Sequence, residues 1–407
     1  MTDVAETTRA SPSERAPRVR RTLRTVLEAR SSSWTVPLLL WLGSRAFSSL
    51  LLGTVYLLAT TDHWSFASSR RDPSFATFSG SWDASFYRTI AEHGYPQALP
   101  LDAAGHVLPN AWAFLPVFPA LSRALMTVTG SSFWVAGLVI ALGCGAGACV
   151  ALYRLLLAVA DERRARWGTA LFAFAPTGFL LQVAYAESLF LLLLFAALLA
   201  LVRGRWWLVG VLGTVAAFTK PGVLALAVAL AVHLLVRWRS LRRRERVAVT
   251  VTGLVVAAAG LAWPVIASAV TGRPGAYLDT ELAWWVGFVG RQHFVPLTPW
   301  FRMAGTWLGP IGIVLVLVVI GTAVWFALRR DVRALGPEVL GFAVAYGAYL
   351  VAVFLPQQSL PRLLMPLAPV LGSDAFVGTR RKARTWLVVG LCLQPVAVVL
   401  LWFLGFP

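Results

Sequence analysis

Long apolar runs separated by short clusters of arginine make up most of this 407-residue chain. A helix that crosses a bilayer needs roughly 17 to 25 mostly apolar residues, since each amide and carbonyl in the hydrocarbon must be paired inside the helix. On that requirement the pattern predicts eleven spans: 36–60, 133–160, 167–183, 185–202, 206–218, 221–235, 248–270, 310–328, 339–355, 363–376 and 386–403. The expected fold class is therefore an all-α polytopic membrane protein, a bundle of about 11 transmembrane helices with interfacial helices in its first external loop. Residues 1–33 follow a different pattern. They are polar, include seven arginines, and lead to no small-residue cleavage site, so a disordered basic cytosolic tail is expected there, with 34–407 as a single transmembrane domain.

Composition closes off the soluble alternative. Hydrophobic residues make up 58% of the chain and charged ones 13%, with a mean hydropathy of +0.71; a water-exposed surface usually draws on about 25% charged residues. The net charge of +18, from 36 basic against 18 acidic residues, does not point to nucleic acid. Such a partner calls for one basic face, whereas here the arginines recur between apolar runs, as the excess of basic residues in cytosolic loops predicts. If the N-terminus is cytosolic, Arg163/Arg164/Arg166, Arg203/Arg205, the 237–246 cluster, Arg329/Arg330/Arg333 and the 380–384 cluster all face the cytosol, which places 25 of the 36 basic residues inside. The expected location is the plasma membrane, with the polar loops 62–110, 271–309 and 356–362, the turn 185–187 and the corner at 220–221 outside. Cys144, Cys149 and Cys392 all lie in apolar runs without metal or disulfide spacing.

Of the outward segments, 80–95 carries the most chemistry. Its serine start and glycine stop predict a short helix, too polar to span, on which Trp82, Phe86 and Ile90 share an apolar stripe with Asp83 and Tyr87 along its edge. A helix of that kind lies in the interface and holds a carboxylate at headgroup depth. Asp83 is then either a reactive group or an acidic residue complementing the helix dipole. Glu187, at the outer start of a long apolar run, allows the same two readings. The loop 271–309 interleaves Trp284, Trp285, Phe288, Phe294, Trp300, Phe301 and Trp307 with Arg291, Gln292 and His293. Aromatics in that setting can hold a lipid chain or a sugar face, or they can anchor the loop in the interface. Arg45 and Arg154 lie inside spans and are read as structural.

The run Trp82-Asp83-x-x-Phe86-Tyr87-x-x-Ile90-Ala91-x-x-Gly94-Tyr95, followed by Ala113-Phe114-Leu115-Pro116-Val117-Phe118-Pro119, resembles the first-loop signature of the PIG-V-like family of integral-membrane mannosyltransferases. Ala175-Pro176-Thr177, Ala184-Tyr185-Ala186-Glu187-Ser188, Arg203-Gly204-Arg205-Trp206-Trp207 and Phe218-Thr219-Lys220-Pro221 are similar to its central blocks, and Ser359-x-Pro361-Arg362-x-x-x-Pro366 to a late one. The likeness is dense from residue 81 to 222 and patchy beyond. It implies a GT-C glycosyltransferase fold, a polyprenyl-phosphate sugar as donor, and an acidic residue of the first external loop beside a cavity open to the outer leaflet. Mapped residue by residue, that acid is Asp83. Two positions depart from the pattern: Phe86 stands where Trp or His is more usual, and Lys220 where Arg is common. The second change keeps the charge and loses the bidentate fork.

A sugar on a lipid phosphate already has a good leaving group, so the enzyme's tasks are to take a proton from the acceptor hydroxyl and to hold the departing phosphate. Asp83 is the expected catalytic base. The expected substrate-binding residues are Trp82, Tyr87, Arg88, Glu187, Lys220, Arg291, His293 and Arg362. No glycine-rich nucleotide cradle and no Asp-x-Asp or His/Cys cluster stands in the sequence, so no metal and no cofactor are expected. The expected partners are a polyprenyl-phosphate sugar donor, an extracytoplasmic acceptor and membrane lipids. The rival reading is a transporter or lipid flippase, which would show duplicated halves with interrupted helices; no such repeat is evident.

Overall fold

The computed structural model describes residues 15–61 and 74–405, with side chains from residue 34 onward. In chain order its longer helices are α1 (Arg15–Thr61), α2 (Ala84–His93), α3 (Val117–Thr129), α4 (Phe133–Val159), α5 (Glu162–Ala173), α6 (Glu187–Val202) and α7 (Trp206–Ala217). After them come α8 (Leu224–Val236), α9 (Arg243–Thr271), α10 (Ala276–Ala283), α11 (Pro299–Leu328), α12 (Pro337–Val353) and α13 (Arg380–Val398). Among the described residues the only β pairing is an isolated bridge between Leu101 and Val107. Of the tail expected over 1–33, the first 14 residues lie outside the described ones, and α1 is already under way at Arg15.

This is an all-α polytopic membrane protein. Among the described residues, five helical stretches are long and apolar enough to cross a bilayer: Trp34–Thr61 within α1, α4, α9, α11, and α13 with the π-helical turn that carries it to Phe403. Five shorter apolar helices, α3, α6, α7, α8 and α12, fill the space between them. Gly309, in a left-handed conformation (φ 59°), kinks α11 just before Pro310.

Two of the eleven expected spans are not continuous helices. The stretch 167–183 is the end of α5, a turn, and a 3-10 segment Gly178–Gln182; the stretch 363–376 is a 3-10 segment Met365–Gly372 followed by a single turn. Prolines cause both breaks. Pro176, Pro366 and Pro369 have no amide to donate and crowd the preceding turn. Broken backbone at membrane depth survives only where protein groups satisfy it. Arg45 does so here, donating to the carbonyls of Gly178 (2.8 Å) and Ala173 (3.3 Å) and to Gln182 Oε1 (3.1 Å). Gln394 Nε2 donates to Ala175 O at 2.7 Å, and Ser48 Oγ donates to Gln394 Oε1 at 3.0 Å. Arg154 stacks over the Trp34 ring at 3.7 Å.

The core is built around α6. Its sequence is apolar on every face, which in a folded chain marks a helix surrounded by others, and nearly all of it is buried against α4 and α7. α11 is the opposite case: equally apolar, yet burying only Pro299, Gly312 and Val316, it presents its surface outward as a lipid-facing helix does. The first turn of α6, the corner between α7 and α8, the start of α2 and the single turn Leu360–Leu363 meet at one end of this core.

Candidate functional site

The segment just before α2 enters the site through a strained residue. Trp82 is held at φ 59°, a region that costs a bulky side chain roughly 1–3 kcal/mol. Its indole Nε1 donates to the carbonyl of Trp402 at 3.0 Å, tying the loop to the end of α13. Because the chain turns there, α2 begins only at Ala84, and its inward face is Ala84, Tyr87, Ile90 and Ala91. The expected stripe of Trp82, Phe86 and Ile90 is rotated accordingly. Tyr87 moves from the edge to the buried side, packed edge-on against Phe114 and Phe118, with ring centroids 5.1 Å away in each case. Gly80 lies directly beneath Trp134, where a Cβ would come within 2.2 Å of the indole, so no other residue fits without displacing it.

Asp83 occupies the cap position of α2, yet its carboxylate accepts no hydrogen bond from the helix amides. It turns instead to Arg362, whose Nη1 lies 2.6 Å from Asp83 Oδ2. Tyr185 holds the loop in place: its hydroxyl accepts from the Asp83 amide and donates to Ser81 O, both at 3.2 Å. Two residues on, Glu187 opens α6, and its Oε1 accepts from Lys220 Nζ at 2.7 Å and lies 3.6 Å from Arg362 Nη1. Four charges thus alternate along one row: Asp83, Arg362, Glu187, Lys220.

Lys220 reaches this row from the corner between α7 and α8. Pro221 ends the helical run, and Gly222 takes φ 107° with Tyr346 packed so close that a Cβ would meet its ring at 2.7 Å. Phe218 O receives the amide of Val117 at 3.0 Å, fastening the corner to the first loop. Arg362 comes from the Leu360–Leu363 turn and lies over the Tyr185 ring at 5.5 Å. Burial works against its charged form, but Asp83 and Glu187 outweigh burial and hold the guanidinium protonated beyond its ordinary range. Tyr87 is held neutral, first by burial and then by the negative charges of Glu187 and Asp83.

The row is not closed on itself. Arg362 Nη1 and Nε make no well-directed hydrogen bond, so the Asp83 contact is charge against charge, and Glu187 Oε2 accepts no hydrogen bond. The side chain of Glu187 is 3% exposed, while those of Arg362, Lys220 and Asp83 are 12%, 13% and 19% exposed. The last three therefore keep some accessible surface, whereas Glu187 is closed in. Buried donors without acceptors are costly unless something supplies the acceptor. Among the described residues no group of three or more His, Cys, Asp or Glu side chains stands ready for a metal ion.

Three of the expected substrate-binding residues lie apart from the row. Arg88 follows Tyr87 by one residue, about 100° around the helix, and pairs with Glu92 at 2.8 Å while resting over Trp134 at 5.4 Å. Arg291 is ion-paired with Asp102, and His293 is exposed. None of them has a hydrogen bond or ion pair to Asp83, Glu187, Lys220 or Arg362 among the described residues.

One acidic neighbour was not singled out in the sequence. Glu281, in α10 one turn after Tyr277, is half-buried, and burial pushes its carboxyl up to about 7 against the opposing charge of Lys220. Trp284 carries this loop onto the first one, edge-on to Phe86 (5.4 Å) and to Phe114 (6.3 Å). Asn110 Nδ2 donates to Thr280 Oγ1 at 3.0 Å. The only sequence signal was the spacing of Tyr277 and Glu281, four apart before a tryptophan pair.

No family model matches the chain. The solved oligosaccharyltransferase of Archaeoglobus fulgidus, in complex with Zn and sulfate, aligns over 79% of this chain and 48% of its own at 15% identity, with a TM-score of 0.42. GPI alpha-1,6-mannosyltransferase 2 of Mus musculus is 33% identical over 146 residues, which is 33% of this chain and 27% of the mouse protein. The same enzyme of Rattus norvegicus is 32% identical over 149 residues, with the same coverage of each chain. The match thus spans about a quarter of the length of these curated relatives. The resemblance to integral-membrane mannosyltransferases read from the loop motifs is the resemblance that these relatives carry.

Proposed function

We propose that the chain is a membrane glycosyltransferase that moves mannose from polyprenyl-phosphate-mannose to a hydroxyl of an extracytoplasmic acceptor, a glycolipid, polysaccharide or protein. The open row of charge carries this reading: a buried guanidinium with undirected donors, beside a carboxylate that shares it. Asp83 takes the proton of the acceptor hydroxyl as the new C–O bond forms at the anomeric carbon. The bond from that carbon to the phosphate oxygen breaks, and the phosphate leaves with the electron pair. Arg362 and Lys220 neutralise it. A single displacement of this kind inverts the anomeric configuration.

The ion pair between Arg362 and Asp83 has a part in the cycle. A donor phosphate competes with Asp83 for Nη1, so donor binding frees the carboxylate at the moment a base is needed. Tyr185 keeps the Asp83 backbone fixed during that exchange, and Glu187 holds Lys220 in place from below. Trp82 and Tyr87 shape the loop around the acid. In this reading the protein lies in the plasma membrane with its N-terminus cytosolic and the row outside.

The test is direct. Membranes containing the protein consume labelled polyprenyl-phosphate-mannose, and Asp83→Asn lowers transfer about 10²- to 10⁴-fold, the usual contribution of a positioned base, with expression and donor binding retained. Full turnover by that variant removes Asp83 from the mechanism, and uptake of a soluble solute without sugar transfer would replace the enzyme by a transporter.

A further inference from the structure

An aspartate at the start of a helix ordinarily caps it: from extended backbone, its carboxylate accepts from the amides of the first turn. Asp83 does not, because its own backbone is already helical (φ −54°, ψ −28°) and the chain makes its turn one residue earlier, at Trp82. The left-handed conformation of Trp82 thus leaves the Asp83 carboxylate to face Arg362 at 2.6 Å. For a bulky side chain that conformation is unfavourable by itself, so contacts from elsewhere must hold it.

Trp402 supplies them. It is 1% exposed and sits in the π-helical turn Val399–Phe403 that follows α13. Carbonyls in the last turn of a helix have no amide of that helix ahead of them, and the carbonyl of Trp402 accepts from Trp82 Nε1 at 3.0 Å. The bond is returned, since Trp402 Nε1 donates to Phe78 O at 3.2 Å. The Trp402 ring also packs 5.5 Å from the ring of Tyr185, whose hydroxyl accepts from the Asp83 amide and donates to Ser81 O. Two hydrogen bonds at Trp402 and two at Tyr185 therefore fix the backbone from Phe78 to Asp83.

We propose that Trp402 is a positioning residue for the transfer reaction: by latching Trp82 in its left-handed conformation, it keeps Asp83 off the helix cap and available as the base. This rests on the reading of Asp83 given above and adds to it a residue remote in sequence. Without the latch, Trp82 relaxes to extended backbone, Asp83 follows, and its carboxylate turns to the amides of α2. Arg362 and Lys220 are untouched by that change, so a donor phosphate still finds its cations and no longer competes with Asp83 for Nη1. The loss is then expected in kcat and not in donor affinity. Loss of fold gives a different result, removing donor sites in the same proportion as turnover.

The experiment uses the full chain in nanodiscs with labelled polyprenyl-phosphate-mannose as probe, measuring the dissociation constant, the number of donor sites and kcat per site. Trp402→Phe keeps an aromatic ring and leaves Phe78 O with the Ser81 hydroxyl at 2.8 Å, so it removes one latch bond without stranding a buried acceptor. Its kcat should fall about 3- to 10-fold, the usual weight of one hydrogen bond, with a dissociation constant no higher than that of the unaltered protein. Trp82→Ala and Trp82→Gly both delete the indole and differ in their tolerance of left-handed backbone. Both should be slower than the unaltered protein, with Trp82→Gly about tenfold faster than Trp82→Ala. If Trp82 instead served to contact the substrate, the two would lose alike, and in donor affinity. Equal kcat in those two variants, full kcat in Trp402→Phe, or losses confined to the dissociation constant overturn the latch while leaving Asp83-dependent transfer standing. An unaltered protein that neither binds the donor nor transfers mannose overturns the enzymatic reading, and this inference with it.

Discussion

The two ends of α8 each hold buried charge, and the clusters are built in opposite ways. Just before its start, Lys220 joins the row with Glu187, Arg362 and Asp83, where donors of Arg362 and one oxygen of Glu187 have no directed partner. At its other end His233 Nδ1 lies 2.8 Å from Glu338 Oε1, and Arg237 Nε donates to the same oxygen at 3.0 Å. His233 Nε2 is left over there, beside the Trp206 ring, whose centroid is 5.0 Å away. The Glu338 cluster joins the end of α8 to the first turn of α12 and gathers His233 and Arg237 on one carboxylate oxygen. Buried charge is therefore not by itself a mark of function. What separates the ends is the kind of contact: Arg237 donates a directed hydrogen bond to Glu338, whereas Arg362 meets Asp83 without one.

That contrast can be broken at graded cost. Arg362→Gln should have the largest effect after loss of Asp83: a fall in kcat/KM of about 10²- to 10³-fold, as for other lost charge-stabilising donors, expressed mainly in donor KM. Unimpaired kinetics would mean that the row is structural like its counterpart. Glu338→Gln should cost roughly 1–3 kcal/mol of stability, the usual penalty for unmaking a buried hydrogen bond, read as a lowered thermal midpoint. Turnover per folded molecule should stay unchanged, and a selective loss of turnover would erase the distinction between the ends. Arg291→Ala should change transfer by less than about twofold, since its exposed pair with Asp102 is worth little; a large loss would bring the aromatic loop into the site.

The four members of the row were all recognisable as candidates in the linear chain, through the first-loop, central and late motifs that contain Asp83, Glu187, Lys220 and Arg362. Their pairing was not. Asp83 and Arg362 are far apart in sequence, and no local periodicity links them. Arg88 shows the reverse error: one residue from Tyr87 in sequence, it faces another way because a helix turns about 100° per residue. Glu281 stayed hidden because an isolated acid in an aromatic loop has no spacing that betrays what it faces. The stretches 167–183 and 363–376 read as spans because hydropathy sums side chains and ignores amides; the prolines in them decided otherwise.

Hydropathy and the recurrence of arginine depend on neighbours along the chain, so a helical, membrane-embedded protein was readable from the residues alone, as was the motif likeness to mannosyltransferases. Which apolar helix lies in the core was not: α6 and α11 are nearly alike in composition, and only packing makes one central and the other peripheral. The broken segments likewise hold together because Arg45 and Gln394 arrive from distant helices to satisfy their carbonyls. Charge acts through space over a few ångströms, and folding alone sets which side chains come that close.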